Sequence, residues 1–495
     1  MNYRSVFIGI DIGTQGVRVV AMNDAGEQLA ALQQPYTHSH PAGSSQSEGA
    51  HEQDPVQWWH ILTGLLKQLA DQLAGSATLG QIKAISVTST SGTVIPMDRF
   101  NEPLHPALMY NDSRSSVEAI ACSEASAQDP TSPSVSFHSS YGLPKILWFM
   151  RRYPDAASRI GRWCHAGDYI LGKLSGVWGV TDYTNALKTG YDLQEERWPA
   201  YITGRLSVPS AWLPEVAAPG TFLGPLPAFV AACTGMPEGT PVMLGMTDGC
   251  ASQVASGAAA PGDWSTTIGT TLVVKGVTRA RVLDPLERLY NHKHPQGFWM
   301  PGGASNTGAA WITRDYAGYD LDALDSAVAR MIPTPWLSYP LMQTGERFPF
   351  LCANARGFDP TEVSAESLYA ARMEGVAFME RMSYDMIEQL SGEAPARIFT
   401  AGGASRSASW LQIRSDVLQK PIVKMKYADG AVGAAIIAAS MSAFGGLIEA
   451  AGQLALPEKT VEPGSNSGPY NEKYQRFTAE LAVLGYLSQE GRGNL

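Results

Sequence analysis

The most restrictive pattern in the chain is a short apolar run at residues 6–10, followed by Asp11-Ile12-Gly13-Thr14-Gln15-Gly16 and a second apolar run at 17–22. Two such runs around a Gly/Thr turn predict a hairpin, ending at the polar tip Asn23-Asp24-Ala25-Gly26. The design returns far downstream, with residues 264–268, then Gly269-Thr270-Thr271, then residues 272–276. The echo of Asp11-Ile12-Gly13-Thr14 in Thr267-Ile268-Gly269-Thr270 predicts two related halves facing each other. The copies differ in one chemical respect: where the first has the carboxylate of Asp11, the second has the hydroxyl of Thr267.

Between the hairpins, β-like runs such as 84–88 and 241–245 alternate with helical patterns such as 56–73, the signature of an α/β chain. Residues 123–140, rich in Ser, Ala and Pro, read as a surface connection. After the second hairpin come a strand at 397–400, a glycine turn Ala401-Gly402-Gly403-Ala404, a helix at 407–418 and a strand at 421–425. A chain of 495 residues exceeds one ordinary core. Two domains are expected, 1–255 and 256–495, with the boundary shortly after Asp248.

The hydrophobic share of 44% and charged share of 17% exclude a disordered chain. A net charge of −10 without any Lys/Arg run argues against nucleic acid or an anionic membrane as main partner. Five scattered cysteines without a CxxC pair read as reduced structural thiols. The opening residues fit neither a signal nor a transit peptide, so the expected location is the cytoplasm. Residues 431–456 are long and nearly uncharged, but Gly445-Gly446, Glu449 and Gln453 interrupt them, so two buried helices are expected and not a membrane span.

A Gly/Thr turn between strands exposes backbone N–H groups, and two such turns can clamp a polyphosphate without a lysine. The sequence contains no GxxxxGK[ST], no GxGxxG and no HRD/DFG set. Asp11, directly after its strand, can hold Mg²⁺ itself or through water; the alternative is a turn-forming Asp. Asp248, in Gly245-Met246-Thr247-Asp248-Gly249-Cys250, sits between an apolar strand and a small-residue helix, where it can accept a proton or merely cap the helix. An ordinary Asp pKa of about 3.9 makes a weak base, which suffices where the transition state is loose and proton transfer comes late.

An ordered series of motifs along the whole chain resembles the FGGY carbohydrate kinases. Gly9 through Gly16 is similar to the first phosphate motif, and Glu52-Gln53-Asp54-Pro55 with Trp58-Trp59 to a segment before a helix. Tyr110-Asn111-Asp112-Ser113-Arg114 resembles W-N-D-x-R, and Thr181-Asp182-Tyr183-Thr184-Asn185-Ala186 resembles T-D-x-S-N-A. Residues 245–248 match the segment bearing the catalytic Asp, and 267–271 the second phosphate motif. Gly345-Glu346-Arg347-Phe348-Pro349-Phe350 resembles G-E-R-x-P-F, and Ala401-Gly402-Gly403-Ala404 with Trp410-Leu411-Gln412 and Asp416 resembles the adenosine motif and its helix.

The resemblance implies two actin-like ATPase domains of the ribonuclease H-like, hexokinase/Hsp70/actin superfamily, with an interdomain cleft. It further implies ATP with Mg²⁺ and phosphoryl transfer to a terminal sugar hydroxyl. Carried over by residue, Asp248 would be the base and Asp11 would organise the metal. Gly13, Thr14, Gln15, Gly269 and Thr270 would meet phosphates, and Gly402, Gly403 and Ala404 the adenosine. The segments 181–186 and 345–350 would serve the sugar side. A homodimer is implied by the resemblance alone.

The substrate loop reads Ser89-Thr90-Ser91-Gly92-Thr93 and lacks the histidine of the G-Q-x-H-G pattern of xylulokinases. With Tyr110-Asn111-Asp112 and residues 185–191 it is more similar to the D-ribulokinase-like branch, with Ser91, Gly92 and Asp112 as sugar-binding candidates. A ketopentose, D-xylulose or D-ribulose, is the expected substrate. A silent sugar-binding protein, a kinase for another sugar or polyol, and an actin-like ATPase are the competing readings.

Overall fold

The computed structural model describes residues 5–37, 47–76 and 78–487. It forms two compact units. The first holds the chain up to Ala255 together with Tyr427–Ala455, and the second Ser256–Lys426 with the chain from Leu456 onward. The expected second domain, 256–495, is therefore not one contiguous body. The reason lies in the helix Gly430–Ser442, whose residues 430–440 are all buried. A helix apolar all round needs cover on every side. It packs against the strand Val6–Ile12 and the helix Asp248–Ala255. The approach is close: a Cβ at Gly9 would clash with the Ala431 carbonyl and the Ala435 amide, and one at Gly433 with the Ala251 carbonyl.

The first unit is built on a six-stranded sheet in the order Phe222–Pro225, Pro241–Met243, Ile82–Ser89, Val6–Ile12, Gly16–Asn23, Gln28–Pro35. Its central strand, Val6–Ile12, pairs antiparallel with its hairpin partner (Ile10↔Val19) and parallel with Ile82–Ser89 (Asp11↔Thr88). The second unit repeats this plan. In its seven-stranded sheet, Asp263–Ile268 pairs antiparallel with Leu272–Gly276 (Trp264↔Gly276) and parallel with Arg397–Ala401 (Thr267↔Ala401). Outward from there, Ile422–Met425 is parallel and Pro457–Val461 antiparallel, as Pro241–Met243 and Phe222–Pro225 are in the first sheet. The echo between the two hairpins thus extends to the order and direction of six strands; Tyr290–Lys293 is an addition at one edge of the second sheet.

A four-stranded sheet of Glu52–Gln53, Ala107–Leu108, Val94–Asp98 and Ile160–His165 accompanies the first unit and leads out of the Ser89–Thr93 loop. The expected surface connection at 123–140 is only partly one. The helix Ser116–Ala127 enters it, with Cys122, Ala125 and Ser126 buried, and Phe137 is 4% exposed. Ala119, Ala121, Ala125 and Ala127 favour helix over loop there. The helices Gly430–Ser442 and Leu447–Leu454 flank Gly445-Gly446 as expected, and among the described residues no helix is long and apolar enough to cross a membrane.

Candidate active site

Asp11 is the penultimate residue of its strand and lies at the N-terminus of the helix Gly430–Ser442, where a Cβ on Gly430 would sit 3.0 Å from Asp11 Oδ2. Burial, and then the charges of Asp248 and Asp429, raise its pKa to about 7, with Arg18 opposing. Asp11 Oδ1 is buried without a hydrogen-bond partner. Asp429 caps that helix through the Val432 amide at 3.1 Å and faces Arg18 Nη1 at 3.4 Å.

The Gly13-Thr14-Gln15 turn is closed by the Gly13 amide on the Gly16 carbonyl at 3.0 Å. Its own three carbonyls are taken by protein donors. Tyr36 Oη donates to Gly13 at 3.1 Å, Gln53 Nε2 to Thr14 at 2.8 Å and the Tyr36 amide to Gln15 at 3.0 Å. Thr14 and Gln15 are exposed, and the acceptor oxygens of the turn point back into the protein, an arrangement that suits an anion.

Asp248 opens the helix Asp248–Ala255 and accepts the Gly249 amide at 2.6 Å. The two residues before it are pinned by threonine hydroxyls. Thr88 Oγ1 donates to the Met246 carbonyl at 2.8 Å, and Thr184 Oγ1 accepts the Thr247 amide at 2.8 Å. Thr184 Oγ1 in turn donates to Asp182 Oδ1 at 2.6 Å, and Asn185 Nδ2 to Asp182 Oδ2 at 2.5 Å. Asp182 also caps the helix Tyr183–Leu187. It is 2% exposed, and burial raises its pKa against those hydrogen bonds. The bridge Ser89↔Thr247 brings Asp248 out beside the end of the strand Ile82–Ser89, at the root of the Ser89–Thr93 loop.

In that loop Thr90 Oγ1 and Thr93 Oγ1 are 2.8 Å apart. Gly92 has φ +76°, and a Cβ there would clash with the Ser140 carbonyl and lie 3.3 Å from Lys188 Cδ, so both backbone and space require glycine. Ser91 stands half-buried at the turn. Asp112, expected at the sugar, is buried and bonded within the protein. Its carboxylate accepts the His51 amide at 2.9 Å and the Arg114 guanidinium at 2.6–3.0 Å. Nearby, buried Lys145 donates to the Ser139 and Tyr141 carbonyls, and burial lowers its pKa to about 7.

In the second unit Gly269, Thr270, Gly403 and Ala404 line one cavity of about 500 Å³, together with Ile268, Ala309, Tyr369, Trp410 and the carboxylates of Asp322 and Asp325. Gly402 stands beside it with φ +89°, its missing Cβ 3.0 Å from the Ile268 carbonyl. Ser407 caps the helix Ala408–Leu418 through the Trp410 amide at 2.9 Å and donates to Asp325. An apolar wall, a glycine edge and two polar ends suit a nucleoside with a phosphate tail. The segment 345–350, expected on the sugar side, lies in this unit, where Glu346 binds the loop packed on the Gly269-Thr270-Thr271 turn. A motif match gives order along the chain but not the neighbour across space.

Sequence reasoning missed Asp429, Arg18, Lys145 and the Thr184–Thr247 tie. Only Asp429 had a local signal, an Asp before a small-residue run, which is a helix N-cap pattern.

The FGGY family of carbohydrate kinases matches over nearly the whole chain, its N-terminal domain at residues 6–255 and its C-terminal domain at 262–442. A xylulose kinase from Escherichia coli (strain K12) is 26% identical over 95% of this chain and 98% of its own length. The crystal structure of xylulose kinase from Rhodospirillum rubrum superimposes with a TM-score of 0.82 at 27% identity, over 97% of this chain and 99% of that one. Plasmodium falciparum glycerol kinase with ADP shares the fold, with a TM-score of 0.82 at 17% identity over 98% and 99% of the two chains. The chain belongs to the FGGY family of carbohydrate kinases and is an ATP-dependent sugar kinase built from two α/β domains.

Proposed function

We propose that the chain transfers the γ-phosphoryl group of ATP to the terminal hydroxyl of a ketopentose, D-xylulose or D-ribulose, giving the 5-phosphate and ADP. The observation that carries the mechanism is the seating of Asp248, with its two preceding residues pinned by Thr88 and Thr184 at the root of the Ser89–Thr93 loop. In this reading Asp248 takes the proton of the acceptor hydroxyl as its oxygen bonds to phosphorus and the bond to the ADP oxygen breaks. Ser91, the Gly92 backbone and Asp112 orient the sugar, with the Asp112 carboxylate held by the Arg114 guanidinium and the His51 amide. Thr14 and Gln15, with Thr270, offer amides to phosphate oxygens, while Gly13 and Gly269, whose own amides close their turns on the Gly16 and Thr271 carbonyls, let the phosphates approach the backbone. Gly402, Gly403 and Ala404 form the edge against the adenosine.

Asp11 fits Mg²⁺, because an acceptor-only oxygen buried without a donor is satisfied by a cation. When bound, the ion neutralises charge on the phosphates. Asp11 would hold it directly or through water.

The ketopentose is favoured by the xylulose kinases among the relatives. The histidine-free loop leaves small hydroxyls to read the sugar. The cytoplasm, where ATP is supplied, is the proposed location, and a homodimer the proposed assembly, read by sedimentation. The test is ADP release with ATP and Mg²⁺ across ketopentoses, hexoses, polyols, gluconate and glycerol. Stimulation by a ketopentose above all others is expected; stimulation by none, or by glycerol alone, overturns the assignment.

A further inference from the structure

Glu346 is 3% exposed, yet its carboxylate is filled by five donors. Oε1 accepts the Asn306 amide at 2.7 Å and the Arg347 amide at 3.0 Å. Oε2 accepts Ser305 Oγ at 2.9 Å, Thr307 Oγ1 at 2.8 Å and Tyr339 Oη at 3.1 Å. An ionised carboxylate is acceptor-only with about four lone-pair sites, so it suits a ring of donors. Asn306 Nδ2 adds a bond to the Gly345 carbonyl at 2.9 Å. Three consecutive residues, Ser305, Asn306 and Thr307, are thereby gathered onto one side chain.

Those residues run into a loop clasped to the second Gly/Thr turn at both ends. The Leu272 amide donates to the Thr307 carbonyl at 2.9 Å, and the Ala309 amide to the Gly269 carbonyl at 2.7 Å. Between these clasps a Cβ at Gly308 would fall 2.5 Å from the Thr270 carbonyl oxygen and 2.6 Å from Thr271 Cα. The turn therefore rests on the loop backbone with no side chain in between. Ala309 and Ala310 then continue into the wall of the 500 Å³ cavity. Every link from the carboxylate to the turn is a direct contact within one unit.

We propose that Glu346 is a positioning residue for the nucleotide's phosphates: it fixes the 305–309 loop, which fixes the amides of the Gly269-Thr270-Thr271 turn. The inference rests on the reading of that turn as a phosphate site. Backbone donors bind a polyanion well only when held in place beforehand, because ordering them on binding costs affinity. The adenosine edge at Gly403 and Ala404 hangs from a different strand, Arg397–Ala401, and makes none of the hydrogen bonds to Glu346.

The test is titration of the full chain and of Glu346→Gln with a nonhydrolysable ATP analogue and, separately, with adenosine. The variant is expected to bind the analogue about tenfold more weakly and adenosine within about twofold of wild type, since a charged hydrogen-bond acceptor is lost only from the phosphate end. KM for ATP should rise while KM for the sugar stays put, a split that general loosening of the fold does not produce. Thr307→Val removes one donor and should cost about threefold for the analogue alone. Equal losses for adenosine and analogue, or no loss in either variant, overturn the proposal while the wild-type binding of both ligands keeps the phosphate reading intact. A wild-type chain that binds adenosine and analogue equally well overturns the phosphate reading and this proposal with it.

Discussion

The hydroxyl of Thr184 joins a buried carboxylate to the backbone that carries Asp248: it donates to Asp182 at 2.6 Å and accepts the Thr247 amide, one residue before Asp248, at 2.8 Å. Valine at 184 leaves both the amide and the carboxylate short of a partner, at about 1–3 kcal/mol. Thr184→Val is expected to lower kcat about tenfold or more with KM for ATP unchanged, and Thr184→Ser to restore most of it. Equal kcat for valine and threonine in steady-state assays would remove Thr184 from the account.

A second prediction concerns the core of the other unit. Arg414 and Glu380, both fully buried, are joined by two hydrogen bonds of 2.7 and 2.8 Å, and Arg414 also donates to Thr400 at 2.6 Å. Arg414→Met strands a buried carboxylate and should cost about 3–5 kcal/mol in chemical denaturation. The double variant Arg414→Met/Glu380→Leu should recover much of that loss. Additive losses would show that the pair acts through its packing and not its charge.

The third is a pH dependence. Burial lowers the pKa of Lys145 to about 7, Lys188 adds to this and Asp112 opposes it, whereas the unfolded side chain keeps an ordinary value of about 10.4. Between those values the unfolded chain holds the extra proton, so stability rises with pH across the window, while below about 7 the full cost of the buried charge is present. The Tm advantage of Lys145→Met over wild type should therefore be greatest near about pH 6 and shrink toward about pH 10. A difference that stays constant with pH contradicts a buried, shifted lysine.

Much of the fold was legible because the strand and turn patterns are local. The two Gly/Thr hairpins, the helix Pro55–Gly75, the strand Arg397–Ala401 and the helix Ala408–Leu418 all follow from neighbours in sequence. The return of Tyr427–Ala455 to the first unit was not legible, because it depends on the bare backbone of Gly9 meeting Ala431, more than four hundred positions away. The same holds for the site. Asp11, Asp248 and the glycine turns announce themselves by type and position. The partners that place them, Thr184, Asp429 and the Glu346 cluster, are ordinary residues whose role exists only across space.

A fourth prediction follows from the unpartnered oxygen of Asp11. With burial, then Asp248 and Asp429, raising its pKa to about 7 and Oδ1 buried without a donor, the ionised Asp11 carboxylate costs stability where it stands. Asn at this position removes a buried charge at the cost of its function, and thermal melts should show Asp11→Asn at least as stable as wild type while its turnover is lost. A clear drop in Tm would assign Asp11 to structure instead.

The most direct measurement is the rate of ketopentose phosphorylation by Asp248→Asn, with binding of a nonhydrolysable ATP analogue titrated on the same sample. Loss of the base predicts a fall in kcat of about a hundredfold to ten-thousandfold with analogue affinity preserved. A variant that turns over within about tenfold of wild type would contradict Asp248 as the group that takes the proton.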